Sequence, residues 1–152
     1  MALPESVKTS RVSIAADTSM GGVPFPMHLG DNEVAVLLSI WYFWYGAPTA
    51  ASNIVYFGLW RKTDSDPSAM GTAHTDMLWR LSEHVLSAVG GTVRTSGKGH
   101  VILPWPLILI RPPRLVGLRA AFASATVDMQ LFYTIQKVSD EELAKLMVKD
   151  HA

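Results

Sequence analysis

Apolar and polar positions alternate in short runs along most of the chain. The longest run is residues 33–62, EVAVLLSIWYFWYGAPTAASNIVYFGLWRK, which carries no charged side chain between Glu33 and Arg61. At a period of two, Val34, Val36, Leu38, Ile40, Tyr42 and Trp44 share one face, and Ala35, Leu37, Ser39, Trp41, Phe43 and Tyr45 share the other. Both faces are apolar, the pattern of a strand buried on both sides or covered by a neighbouring subunit. Aromatic and β-branched side chains suit a pleated surface. Gly46–Thr49 breaks the run and Ile54–Trp60 resumes it, which predicts a strand, a loop and a returning strand. The competing reading is a membrane-spanning helix at about Val34–Ser52, since about 20 apolar residues suffice to cross a bilayer. Gly46, Pro48, Thr49, Ser52 and Asn53 weaken it. So do five aromatics gathered near its centre, where spanning helices place them at the two interfaces.

The flanking segments read mostly as further strands. Val7–Ala15 alternates weakly and predicts an edge strand. Val23–Leu29 holds two Pro and predicts an extended surface run. Gly30–Asn32 predicts a turn. Arg61–Ala73 is polar and predicts an exposed loop. In Thr75–Val89, the residues Met77, Leu78, Leu81, Val85, Leu86 and Val89 fall mostly at steps of three and four. That spacing predicts a helix, capped by Thr75 and stopped by Gly90 and Gly91. Thr92–Thr95 and His100–Leu103 flank Ser96–Gly99 and predict a hairpin with a glycine-containing tip. Pro104–Ile110 continues as a strand that Pro confines to an edge or corner. Leu115–Ala123 is extended, Ser124–Asp128 turns, and Met129–Val138 alternates cleanly as a strand. Ser139 and Glu142 form a capping box that opens a helix at about 140–148, with acids first and Lys145 and Lys149 later. Its apolar stripe is Leu143, Leu146 and Met147.

About eight strands with turns between them predict an all-β fold: an antiparallel sandwich with jelly-roll order, one inserted helix and a short C-terminal helix. The 152 residues predict one domain, with the sandwich at about 7–138.

Composition narrows the function. Hydrophobic residues make up 49% of the chain and charged residues only 17%, with a formal net charge of zero. So few charges leave little to cover a free surface, and neutrality favours association. The chain has no Cys, which excludes disulfides, thiolate metal sites and cysteine nucleophiles. No apolar leader is visible at the N-terminus. No basic arm or block of like charge is present to hold nucleic acid strongly.

Candidate chemistry is sparse. His74, Asp76 and His84 invite a zinc test, but a site needs three or four converging ligands. A helix-terminal acid and solvated histidines explain them more simply. Ser96–Gly99 lacks the phosphate-loop pattern, because Gly99 follows Lys98. Asp64 and Asp66 lack the oxygen-rich loop that calcium sites use. No catalytic, cofactor or metal residues are assigned, and an enzyme is not expected. Trp41, Trp44 or Trp60 stacking on a sugar is a second reading, that of a β-sandwich carbohydrate-binding module. Burial of the aromatics in a core or interface is the simpler one.

The aromatic strand Glu33–Tyr45, the return at Phe57–Lys62, the Pro-punctuated Leu103–Pro113 and the late strand with its helix start at Gln130–Leu143 together resemble the single jelly-roll virion proteins of icosahedral viruses. That resemblance implies a capsid or other shell subunit, assembled in the host cytoplasm, whose partners are itself and other shell proteins. Many such proteins carry a basic N-terminal arm. Its lack here argues against direct genome binding. On this reading Trp41, Phe43, Tyr45, Trp60, Leu143, Leu146 and Met147 are the interface candidates.

Overall fold

The computed structural model describes residues 6–16, 21–48, 52–61, 77–86, 95–120 and 122–151. Among these residues eight strands lie in chain order: β1 (Lys8–Ala16), β2 (Gly21–Pro24), β3 (Glu33–Pro48), β4 (Ser52–Trp60), β5 (Met77–Leu86), β6 (Thr95–Leu109), β7 (Arg114–Ala120) and β8 (Phe122–Lys137). A helix, α1 (Asp140–His151), follows them. The strands form two four-stranded antiparallel sheets, ordered β1-β8-β3-β6 and β2-β7-β4-β5. The pairing is nested: β1 with β8, β2 with β7, β3 with β6 and β4 with β5. Contacts of β3 with β8 and of β4 with β7 close the two sheets. This is the jelly-roll order, a long hairpin rolled into a sandwich. No helix among the described residues is long and apolar enough to cross a membrane. Of the tract considered for a spanning helix, residues 34–48 belong to β3 and Ser52 opens β4.

β3 lies inside its sheet, between β8 and β6. Its inward side chains Ala35, Leu37, Ile40, Tyr42 and Trp44 meet Val55, Phe57, Leu59 and Leu115 of the opposite sheet in one core. Tyr42 bridges the layers, its ring 5.2 Å from Phe57 and 5.9 Å from Trp79. Unbroken alternation puts Leu37 and Ile40 on opposite faces, but both are fully buried. The pairing with β8 slips between Leu37 and Ser39, where two steps along β3 match one from Tyr133 to Phe132. This bulge resets the alternation.

The structure corrects several local expectations. Residues 77–86 form strand β5, not part of a helix. Leu81 and Trp79 stand opposite Phe57 and Leu59, and burying them against β4 outweighs a spacing that also suits a helix. Thr75, Gly90 and Gly91, the expected cap and stop, lie outside the described residues. Ser96–Gly99 is no hairpin tip but part of the continuous strand β6. A side chain at Gly99 would have its Cβ 2.5 Å from the Tyr42 hydroxyl, and one at Gly97 would collide with the Trp44 indole. These glycines make room for rings rather than for a turn. Residues 124–128, expected to turn, belong to β8, which pairs with β3 as far as Phe122. In the run 23–29, Phe25 and Met27 are buried core residues rather than surface ones.

The ends of β3 and β8 are tied to α1. Asn32 takes a left-handed backbone (φ 57°), which Asn tolerates better than most residues. Its carbonyl accepts the Val138 N–H at 2.9 Å, and its side chain donates to Asp140. The capping box forms as expected. Glu142 N–H donates to Ser139 Oγ at 3.2 Å, and Ser139 N–H donates to Glu142 Oε2 at 2.9 Å.

That last bond, followed by the Ser139 hydroxyl, holds the Glu142 carboxyl below the usual carboxylate range. A depressed pKa stabilises the capped state above the ordinary range, and the contribution disappears as pH falls through the lowered value. Amide-resolved NMR in acid is therefore expected to show the Ser139 N–H shifting with Glu142 protonation as the first turn of α1 loses exchange protection. Glu142→Gln should abolish the pH dependence. A Ser139 amide that ignores the titration would contradict the cap.

Candidate association surface

Residues facing away from the core on the first sheet form an aromatic spine. Trp41, Phe43 and Tyr45 follow one another on the outer side of β3. The rings of Trp41 and Phe43 stack at 6.5 Å and 13°, and those of Phe43 and Tyr45 lie 5.8 Å apart. Trp41 and Phe43 are half-buried, and Tyr45 is 40% exposed. In register with Trp41 are Gln130 of β8 and His100 of β6. Phe43 is matched in the same way by Asp128 and Lys98. Phe132 and Ile102 flank Ser39 at the next level.

Polar groups frame the spine. Arg11 Nε donates to Asp128 Oδ1 at 2.9 Å, and the guanidinium lies 5.6 Å from the centre of the Trp41 ring. The hydrogen bond and charge of Asp128 raise the Arg11 pKa. On the other flank His100 Nε2 lies 3.0 Å from Ser39 Oγ, with its ring 5.8 Å from Phe132. A serine beside a histidine is two parts of a nucleophile–base–orienter set. The pair sits on the outward face of the sheet, with His100 exposed and Ser39 half-buried. Behind the spine, burial first and Glu83 second raise the pKa of Tyr42, and burial raises that of Tyr133.

β6 is one of the two edge strands of this sheet, with β1 the other, and carries most of the sheet's exposed large apolar side chains. Ile102 is 77% exposed, Trp105 81% and Ile108 50%. Between Leu37 and Ser39, β3 advances two residues while β6 advances five, from Leu107 to Ile102. Residues 103–106 therefore swing out of the ladder with Trp105 at their tip. Pro104 and Pro106 blunt the edge, since neither can donate to a further strand.

The helix contributes a third part. Leu143 and Met147 line a cavity of about 540 Å³ with Asp31, Glu33, Ile110 and Arg111. Leu146 lines a smaller groove of about 280 Å³ with Ile108, Val138, Glu142, Lys145 and Lys149.

Trp41, Phe43 and Tyr45 thus come together, and Leu143, Leu146 and Met147 gather on α1 beside the β6 edge. Trp60 lies apart on the second sheet and is only 4% exposed. Ile102, Trp105 and Ile108 escaped sequence reasoning. The Pro-bracketed segment marked an edge or a corner, and a strand with no charge from Val101 to Ile110 in such a place was the available signal that apolar side chains face outward there. His74, Asp76, Asp64 and Asp66 lie outside the described residues. Among the described residues no three or more His, Asp or Glu cluster as a metal site would require.

No protein-family model matches this chain, and no curated protein matches it. Among solved structures it is similar to a chain of Bacillus endospore appendages, which form disulfide-linked pili. The two are 13% identical over 88% of this chain and 96% of that one, with a TM-score of 0.36. The 152 residues contain no cysteine for such a linkage.

Proposed function

We propose that the protein is a structural subunit that associates with copies of itself, and that the assembly is a virus shell of single jelly-roll subunits. The observation that carries this reading is the aromatic spine on the solvent side of the first sheet. A free sheet face normally alternates apolar inward with polar outward. Here Trp41, Phe43, Tyr45, Phe132 and Ile102 take outward positions among the polar Ser39, Lys98, His100, Asp128 and Gln130. The face has the right scale. Four strands spaced about 4.8 Å apart, with β3 about 50 Å long, give roughly 1,000 Å², against about 800 Å² per partner in a standard interface.

In this reading the chain has no catalytic role and its partners are itself and other shell proteins. It belongs in the virion, after assembly in the host cytoplasm. Its mixed and neutral charge fits protein contacts better than a grip on nucleic acid. Mass photometry and light scattering across micromolar concentrations test the reading. Multimers that grow with concentration are expected, and a monodisperse 16.6 kDa species throughout would overturn it.

A further inference from the structure

We infer that Trp105 of one copy seats in the groove between β6 and α1 of a second copy, across a two-fold axis. This contact rests on the self-association proposed above and names one place where it occurs. Trp105 stands 81% exposed at the tip of the 103–106 excursion, with Pro104 before it and Pro106 after it. Both prolines fix φ and lack an N–H. The excursion therefore offers a neighbour a side chain on a stiff support rather than backbone for strand pairing. An indole held this way loses little freedom on docking, and Trp is enriched among the residues that dominate interfaces.

The receptor lies on the same edge. The groove of about 280 Å³ has Ile108, Val138 and Leu146 as its apolar lining, with Glu142, Lys145 and Lys149 beside them. It is smaller than the roughly 300–1,000 Å³ of small-molecule pockets and suits one large side chain. Glu142 is engaged by the Ser139 cap, and Lys145 lies 2.7 Å from Glu141. The lysine ammonium groups complement the negative face of an indole. Trp105 does not fill the groove of its own chain, as its exposure shows. Ile108 lies only three residues beyond Trp105, within about 10 Å of chain. Projecting ring and groove are thus neighbours on one edge, and a two-fold axis between two such edges makes both contacts at once, as an isologous interface requires.

Two measurements on the full chain test this. Trp105→Ala should raise the dissociation constant of the pair by roughly 30-fold or more, the effect of losing a dominant interface tryptophan. Its thermal melt should match that of the parent, because the side chain is exposed. Trp105→Cys protein mixed with Leu146→Cys protein should, on mild oxidation, give an interchain disulfide between positions 105 and 146, identified by mass spectrometry. The native chain lacks cysteine, so the parent forms no linkage, and the 105–105 and 146–146 products are told from the 105–146 one by mass. If the parent assembles but Trp105→Ala assembles equally, this contact is overturned while self-association stands. A parent that stays monomeric overturns both.

Discussion

Trp44→Ala is expected to cost about 3–5 kcal/mol of folding stability, the usual range for truncating a buried aromatic. Against a typical total of about 5–15 kcal/mol, that is the largest single-residue effect the structure offers. Trp44 is 1% exposed and meets Phe122 edge-on at 5.9 Å. It stands opposite Gly97 of β6, the residue whose missing side chain makes space for the indole. A Cβ there would lie 2.9 Å from Trp44 Cε2, and the ring has no room to retreat. Gly97→Val alone should therefore cost about 1–3 kcal/mol by overpacking. Combined with Trp44→Leu, it should cost less than the sum of the two single changes, because each relieves the other. Urea denaturation of the four proteins in the cycle measures this. Strict additivity would contradict the account of the β6 glycines as the receptacle for the β3 rings.

Tyr45→Asp should leave folding nearly untouched and weaken self-association at least about tenfold. The side chain faces away from the core, and substitutions at such positions usually change stability by no more than about 0.5 kcal/mol. At a subunit contact the same carboxylate loses its water. Desolvating an ion costs several kcal/mol, and each 1.4 kcal/mol is a factor of ten in affinity. Lys98 lies diagonally across from Tyr45 and offsets part of this cost, which keeps the expectation at the low end. Tyr45→Phe retains the aromatic area and should assemble like the parent. Concentration-dependent mass photometry, with a thermal melt as control, compares the three. Equal assembly by Tyr45→Asp would place the spine outside the interface.

Features set by near neighbours in the chain were legible before any coordinates. The period of two in 33–45 marked β3, the turn at Gly30–Asn32 forms as expected, and the capping box of Ser139 and Glu142 is in place. Pro104 and Pro106 marked an edge or a corner, and β6 is an edge strand. The failures share one physical origin: they were decided by residues far away in the chain. Met77, Leu78, Leu81, Val85 and Leu86 satisfy a helical spacing, and only the pairing of Leu81 with Phe57 and of Trp79 with Leu59 settles them as strand. Gly97 and Gly99 have the local look of a turn until the rings of Trp44 and Tyr42 lie across them. The extra residue at Leu38 shifts half of β3 to the other face, and no alternation count reveals a bulge. The proposed association surface was half legible for the same reason. Its aromatic spine follows from periodicity within β3, whereas the exposure of Trp105 depends on β6 departing from its partner between Ile102 and Leu107.

Self-association through the outward aromatic face is the claim from which the functional reading follows. Electron microscopy of the purified chain at micromolar concentration, read beside its sedimentation velocity, tests it most directly. The account predicts repeating particles or closed shells, with subunits in contact along the first sheet and its β6 edge. A field without particles, from protein sedimenting as a lone 16.6 kDa chain, would contradict it.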